Sequence, residues 1–524
     1  MLAVLITMTP LTAQPATPRL IVVLAVDQMR ADYVDRFGHQ WTGGLRRLID
    51  RGAVFAEARY SYFGTLTCAG HATIATGTVP ATHGVILDGW WDPAAGRRVR
   101  CTADAEAMAL RYGPRGSDGH GPGTIMVPTL SDELQGQMAL PSRVSAFAVK
   151  GRAAIMLAGH RADAVAWFDD GNSWTTSTAY GPAPVDFLTA YVSANPVEAD
   201  RGKVWQPTLA TSEFVYASDL PADQPAFSHA LPDGDTDNDR AFYTAWVTSP
   251  FSDEYVGRMA EAAVDALDLG LGDRTDYLAL GFSAADYVGH EYGPRSLEVQ
   301  DYFARLDATI GRLLAYLDRT VGSNGYVVAL SADHGVAPIP EWASEQGFDA
   351  GRIAREDVVR RVNEALVPVL GPGDHAASMT HIEFYFSPGV YDRLLADPAA
   401  MHVAVDAIRS TPGVLRVFRG EELVDGTSSD PLTRQVAASY YPGRSGDLVV
   451  IPKPYWFTWV RGADHGTGYD YDTRVPLVLM GPGIRPGRYV SRADPADLAP
   501  TLAELVGIVL PAPDGRVLTE ALER

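Results

Sequence analysis

The chain is predicted to be an α/β protein, a three-layer α/β/α sandwich around a mostly parallel central sheet with cap insertions. Short apolar runs recur with almost no polar interruption, as strands buried on both faces require. Helical patterns alternate with them, as parallel connections require. Charged or metal-binding side chains follow several of the runs directly, and in open parallel sheets ligands gather at the carboxyl ends of strands.

Taken in order, "LIVVLAV" (20–26) exits into Asp27, and "VSAFAV" (144–149) exits into Lys150 and Arg152. "YLALGF" (277–282) leads to Asp286 and His290, and "YVVALSA" (326–332) leads to Asp333 and His334. "VPLVLMG" (475–481) is preceded by a glycine-flanked loop that carries His465. Helical patterns occupy 254–269, 297–319 and 495–507. Two stretches, about 160–240 and 336–460, break this alternation and read as insertions forming a cap beside a catalytic domain of 19–524.

At 524 residues and 46% hydrophobic content the chain can bury a large core. Its formal net charge of -21 argues against nucleic acid as a partner, because phosphate backbones need a basic face. No run reaches the roughly 18 apolar residues of a membrane span. The opening "MLAVLITMTPLTAQPATP" reads as a secretory signal, residues 1–13 with cleavage after Ala13, although a basic start is missing. Two cysteines, Cys68 and Cys101, suit either one disulfide in an oxidising compartment or two buried thiols.

The stretch "FGTLTCAGHATIATGTVPATHG" (63–84) places Thr67 at the start of a helix of small residues, either as a cap or as a nucleophile at an anion site. Asp27, Asp286, Asp333, His290, His334 and His465 supply three carboxylates and three imidazoles without a cysteine, a donor set that suits two zinc ions. Thr65, Thr73, His71 and His83 read as structural neighbours.

The ordered segments "VDQMR", "TCAGHATIATGTVPATHG", "DYVGH", "ADHG" and "DHGTGYD" resemble the alkaline phosphatase superfamily, in its nucleotide pyrophosphatase/phosphodiesterase-like branch. "AVKGRAAIMLAGH" (148–160) is similar to the Lys-x-Arg segment of phosphate-irrepressible bacterial alkaline phosphatases, which use a threonine nucleophile. The resemblance implies one zinc on Asp27, Asp333, His334 and the Thr67 oxygen, and a second on Asp286, His290 and His465. It further implies a phosphothreonine formed on Thr67, with Lys150 and Arg152 on the phosphoryl oxygens. A sulfatase with a cysteine nucleophile is disfavoured, since that pattern wants Cys-x-Pro-x-Arg and this chain reads "CAGHA".

Where the resembled branch has an asparagine donor, this chain has Asp88 in "VILDGWWD". An ionised Asp88 only accepts hydrogen bonds and repels a phosphate dianion, unless it pairs with Lys150 or Arg152, is protonated, or turns away. The expected activity is zinc-dependent hydrolysis of phosphate monoesters by a periplasmic or secreted monomer, with small phosphate esters as partners. A phosphodiesterase or nucleotide pyrophosphatase is the alternative.

Overall fold

Alternate residues of the first strand enter two different cores. Leu20, Val22, Leu24 and Val26 pack with one hydrophobic cluster, while Ile21, Val23 and Ala25 pack with another. A strand buried on both faces needs no polar alternation, which explains the unbroken "LIVVLAV". In this computed structural model, residues 17–112, 119–169, 173–216, 227–234, 239–424 and 426–523 are described. The expected signal segment lies outside them.

The central sheet has ten strands: β1 (Leu20–Val26), β2 (Ala53–Ala58), β3 (Ala109–Arg111), β4 (Val144–Ala148), β5 (Ala164–Phe168), β6 (Trp174–Ser177), β7 (Asp276–Phe282), β8 (Tyr326–Ser331), β9 (Leu477–Met480) and β10 (Gly487–Ala493). Their spatial order is β10-β2-β9-β8-β1-β7-β4-β5-β6-β3. The five central strands, β8-β1-β7-β4-β5, are parallel. Pro250–Ala266 and Leu297–Thr320 cover one face; Gly151–Ala158 and Leu498–Val506 cover the other. The layers are those expected.

β9 runs antiparallel to both β8 and β2. Burial on two faces is indifferent to strand direction, so the apolar run alone cannot report it. The reversal has a consequence for the site. The edge where the parallel strands end is the edge where β9 begins, so the loop carrying His465 arrives beside Asp27 and Asp333.

The segment 160–240 is not simply a cap insertion. β5 and β6 are strands of the central sheet, and Leu188, Val197 and Trp205 join the same core as β1. The segment 336–460 does build a second sheet, with strands Ala376–Thr380, Glu383–Phe386, Leu448–Pro452 and Val414–Arg419 in that order and a hydrophobic cluster of its own. No helix among the described residues is long and apolar enough to cross a membrane.

Candidate active site

The site is built from the carboxyl edge of the sheet. Asp27 leaves β1, and Asp333 and His334 leave β8. Asp286 and His290 lie one turn apart on α1 (Ala284–Tyr292), the helix after β7. Thr67 is the first residue of the helix Thr67–Thr76, whose N-cap Leu66 offers no side-chain acceptor. Thr67 is therefore not a cap. Its hydroxyl lies 3.5 Å from His334 Nε2. Gly70, on the same helix, lets it abut the end of β8, because a Cβ there would stand 2.2 Å from the Asp333 carbonyl oxygen.

Two groups of ligand atoms converge. In one, His290 Nε2 lies 3.1 Å and His465 Nε2 3.5 Å from Asp286 Oδ1. In the other, His334 Nε2 lies 3.5 Å from Asp27 Oδ1 and 3.3 Å from Asp333 Oδ2. Each imidazole is oriented from behind by a backbone carbonyl, which accepts from Nδ1: Ala463 for His290, Thr65 for His465 and Gly335 for His334. A carbonyl can only accept, so Nδ1 carries a proton in each ring and Nε2 is the atom turned towards the centre. Burial pushes His334 down to about 3, keeping it neutral. Burial also lowers His465, but the adjoining Asp286 carboxylate outweighs it and raises the ring to about 9.

These residues fit bound cations. Asp27 Oδ1 is fully buried and has no hydrogen-bond partner among the described residues. Burial and the neighbouring Asp333 push the Asp27 carboxyl well above its ordinary range. The Lys150 ammonium meets Oδ2 alone, so Oδ1 keeps no hydrogen-bond partner among the described residues, a position that a bound cation would satisfy. The all N/O donor set suits divalent zinc.

Lys150 takes a position not foreseen from sequence. Instead of facing the cleft beside Arg152, its ammonium lies 2.7 Å from Asp27 Oδ2 and contacts Asp286. The physical reason is the concentration of buried negative charge at Asp27, Asp286 and Asp333. Arg152 does face the cleft, with Nε 3.2 Å from Asp88 Oδ2. The other Asp88 oxygen accepts from the Cys68 backbone N–H at 2.9 Å. Asp88 thus supplies from a distance the acceptor that the Thr67 helix lacks. Despite burial, Arg152 and that N–H hold its carboxyl below the usual range, so it is ionised. Cys68 and Cys101 form a disulfide, joining this helix to the hairpin of Gly89–Asp92 and Arg97–Arg100.

Several positioning residues carried no sequence signal. Gln28, in a left-handed backbone conformation (φ 64°), donates from its backbone to Asp333 at 3.0 Å and from its amide to Asp286 at 2.7 Å. Gly289 leaves room for that amide, as a Cβ would stand 1.7 Å from Gln28 Oε1. Asp253 accepts from Ser283 N, Ala284 N and Tyr302 Oη, securing the start of α1. His71, read as structural, hydrogen-bonds the Thr67 carbonyl at 2.8 Å and stands 3.2 Å from Asp333 Oδ2.

Comparison with known proteins identifies the family. The chain is 29% identical to alkaline phosphatase PafA of Elizabethkingia meningoseptica over 97% of its length and 95% of that protein. It is 31% identical to alkaline phosphatase PhoK of Sphingomonas sp, covering 96% and 91% respectively. The crystal structure of wild-type PafA superimposes with a TM-score of 0.88 at 28% identity, over 97% of this chain and 99% of that one. Murine ectonucleotide pyrophosphatase/phosphodiesterase 5 shares the fold, with a TM-score of 0.56 at 13% identity over 96% of this chain and all of that one. Residues 21–471 match the model of the type I phosphodiesterase/nucleotide pyrophosphatase family, and the chain belongs to that family of phosphoric ester hydrolases.

Proposed function

We propose that the protein is a periplasmic or secreted, zinc-dependent alkaline phosphatase that hydrolyses phosphate monoesters through a phosphothreonine on Thr67. The observation that carries this reading is the Thr67 hydroxyl at a helix N-terminus, 3.5 Å from His334, which itself belongs to one of two adjoining groups of carboxylates and imidazoles able to hold metal ions. The names of the relatives support the activity, and the disulfide supports an oxidising compartment.

Asp27, Asp333 and His334 would hold one zinc beside Thr67, and Asp286, His290 and His465 the other. Bound zinc supplies Lewis acidity, which makes the threonine hydroxyl acidic and stabilises charge on the departing oxygen. Thr67 Oγ1 attacks phosphorus in line while the ester P–O bond breaks and the alcohol leaves. Water then cleaves the phosphothreonine, releasing phosphate and restoring the hydroxyl. Arg152 meets the phosphoryl oxygens with a planar, charged donor pair. Lys150, whose ammonium lies at Asp27 and Asp286, would supply a second positive charge for the same oxygens.

The Asp88–Arg152 pair favours a second reading, a phosphodiesterase or nucleotide pyrophosphatase, because it removes charge that a monoester dianion would reward. Rates on matched aryl monoester and diester substrates by zinc-loaded protein decide between them. Trapping of labelled phosphate on Thr67 after acid quench tests the covalent step.

A further inference from the structure

Thr67 lies beside His334, so an in-line displacement sends the leaving group to the opposite side, towards Asp286, His290 and His465. Those three residues line a cavity of about 700 Å³; Thr67, Asp27, Asp333 and His334 do not. On the proposed mechanism the leaving group would point into this cavity, which Asp88 and Arg152 also line.

Its outer wall is cationic. Arg98 comes from the strand Arg97–Arg100, Arg355 opens the helix Arg355–Leu370 of the second sheet's layer, and Arg461 lies in the loop leading to His465. Arg152 lines the cavity too, and Trp459, 46% exposed, forms its rim. Burial and then the repulsion of Arg355, Arg100 and Arg152 push the Arg98 guanidinium down, with Asp88 the carboxylate opposing them. Two acids also border the cavity, the exposed Glu291 and the buried Asp464, next in sequence to His290 and His465. In a chain of net charge -21, several guanidiniums brought together from separate elements mark a place where an anion is held.

Building on the monoesterase reading, we infer that Arg98, Arg355 and Arg461 form a second anion subsite, which selects phosphate monoesters whose alcohol carries a further phosphate or carboxylate. Guanidinium forks pair with such groups in a bidentate manner. The transferred phosphoryl group already has Thr67, Lys150, Arg152 and the zinc ligands. Arg98, Arg355 and Arg461 line the same cavity as Arg152 and remain for a second anionic group on the alcohol. The subsite also counters the long-range repulsion that an acidic protein exerts on a polyanionic ester.

The test uses zinc-loaded full-length protein and a matched pair of esters, butane-1,4-diol bisphosphate and 4-hydroxybutyl phosphate. The expected kcat/KM, counted per phosphate, is about tenfold higher for the bisphosphate, the order of one charge-assisted pair. Replacing Arg98, Arg355 and Arg461 by Gln, singly and together, is expected to bring that ratio towards unity, as is salt at roughly 0.5 M. A wild-type ratio near one, or a ratio that survives all substitutions, overturns the inference. Calorimetric binding of butane-1,4-bisphosphonate against butylphosphonate gives a second readout that needs no turnover. If neither ester is hydrolysed but the bisphosphonate preference exists and disappears in the variants, the monoesterase reading falls and the subsite stands. Equal binding of the two phosphonates by wild type removes the subsite whatever the turnover.

Discussion

Two side chains decide what the site does with phosphate. Thr67→Ala is expected to lower monoester kcat by about a thousandfold or more while zinc content, measured by elemental analysis, stays near wild type. On the proposed assignment Asp27, Asp333 and His334 would still hold the ion there, and Thr67→Ser should recover part of the rate. Wild-type turnover in the alanine variant would mean direct attack by water. At Asp88, the carboxylate occupies both the Cys68 N–H and Arg152, two donors that a phosphoryl oxygen would use. Asp88→Asn keeps an acceptor for Cys68 N–H and removes the charge held against Arg152. Inhibition by inorganic phosphate should tighten about tenfold, the equivalent of ~1.4 kcal/mol. Unchanged inhibition would show that Arg152 is not limited by this pair. The carboxylates and imidazoles that converge at the sheet edge were legible as residue types beside apolar runs. Gln28 and Asp253 were not, because their partners lie far away in sequence and neither type is rare on surfaces.

At the scale of single elements, the strand Glu383–Phe386 contains a buried acid. Glu383 accepts from Gly446 N at 2.7 Å, yet burial pushes its carboxyl up to about 8. Its folded value lies above the unfolded one, near 4.5, so the folded state holds the proton longer. The stabilisation is complete below about pH 4.5 and is lost as pH rises to about 8, amounting to a few kcal/mol. Glu383→Gln should therefore raise Tm at pH 9 relative to wild type, with little difference at pH 5. A parallel change in Tm at both pH values would mean that the effect is not ionisation. Strand identity was readable from apolar content for β1, β7 and β8, whereas this strand lies in a segment read only as an insertion. Strand direction was not, as β9 shows, and neither was the membership of β5 and β6 in the central sheet. "AVAWF" and "WTTS" are short, and they sit among residues whose composition suggests loops.

For the molecule as a whole, bound metal would neutralise the buried carboxylates, so folding and metal loading are expected to form one equilibrium. Chelation of the zinc-loaded protein should abolish turnover and lower Tm by several degrees, since a ligand present at about a thousand times its Kd contributes ~4 kcal/mol. Zn²⁺ should restore both; a Tm insensitive to chelation would mean that the fold tolerates the unneutralised cluster. The sandwich itself was predictable because burying a sheet on two sides leaves a plain pattern in the chain. The cleft was less so, because charge pairs such as Asp88–Arg152 depend on angles of approach that no local pattern records. The Cys68–Cys101 bridge carries a consequence of another kind. Both cysteines are fully buried, so a reductant has no access to them while the protein stays folded. The bond then testifies to where the chain was folded and not to where it later resides. Folded enzyme kept in millimolar glutathione should retain its activity for as long as it stays folded, whereas the same exposure during refolding should yield protein with free thiols and a detached hairpin. Measuring activity and thiol content after each order of treatment distinguishes the two histories, and rapid loss in the folded sample would show that the bridge opens without unfolding.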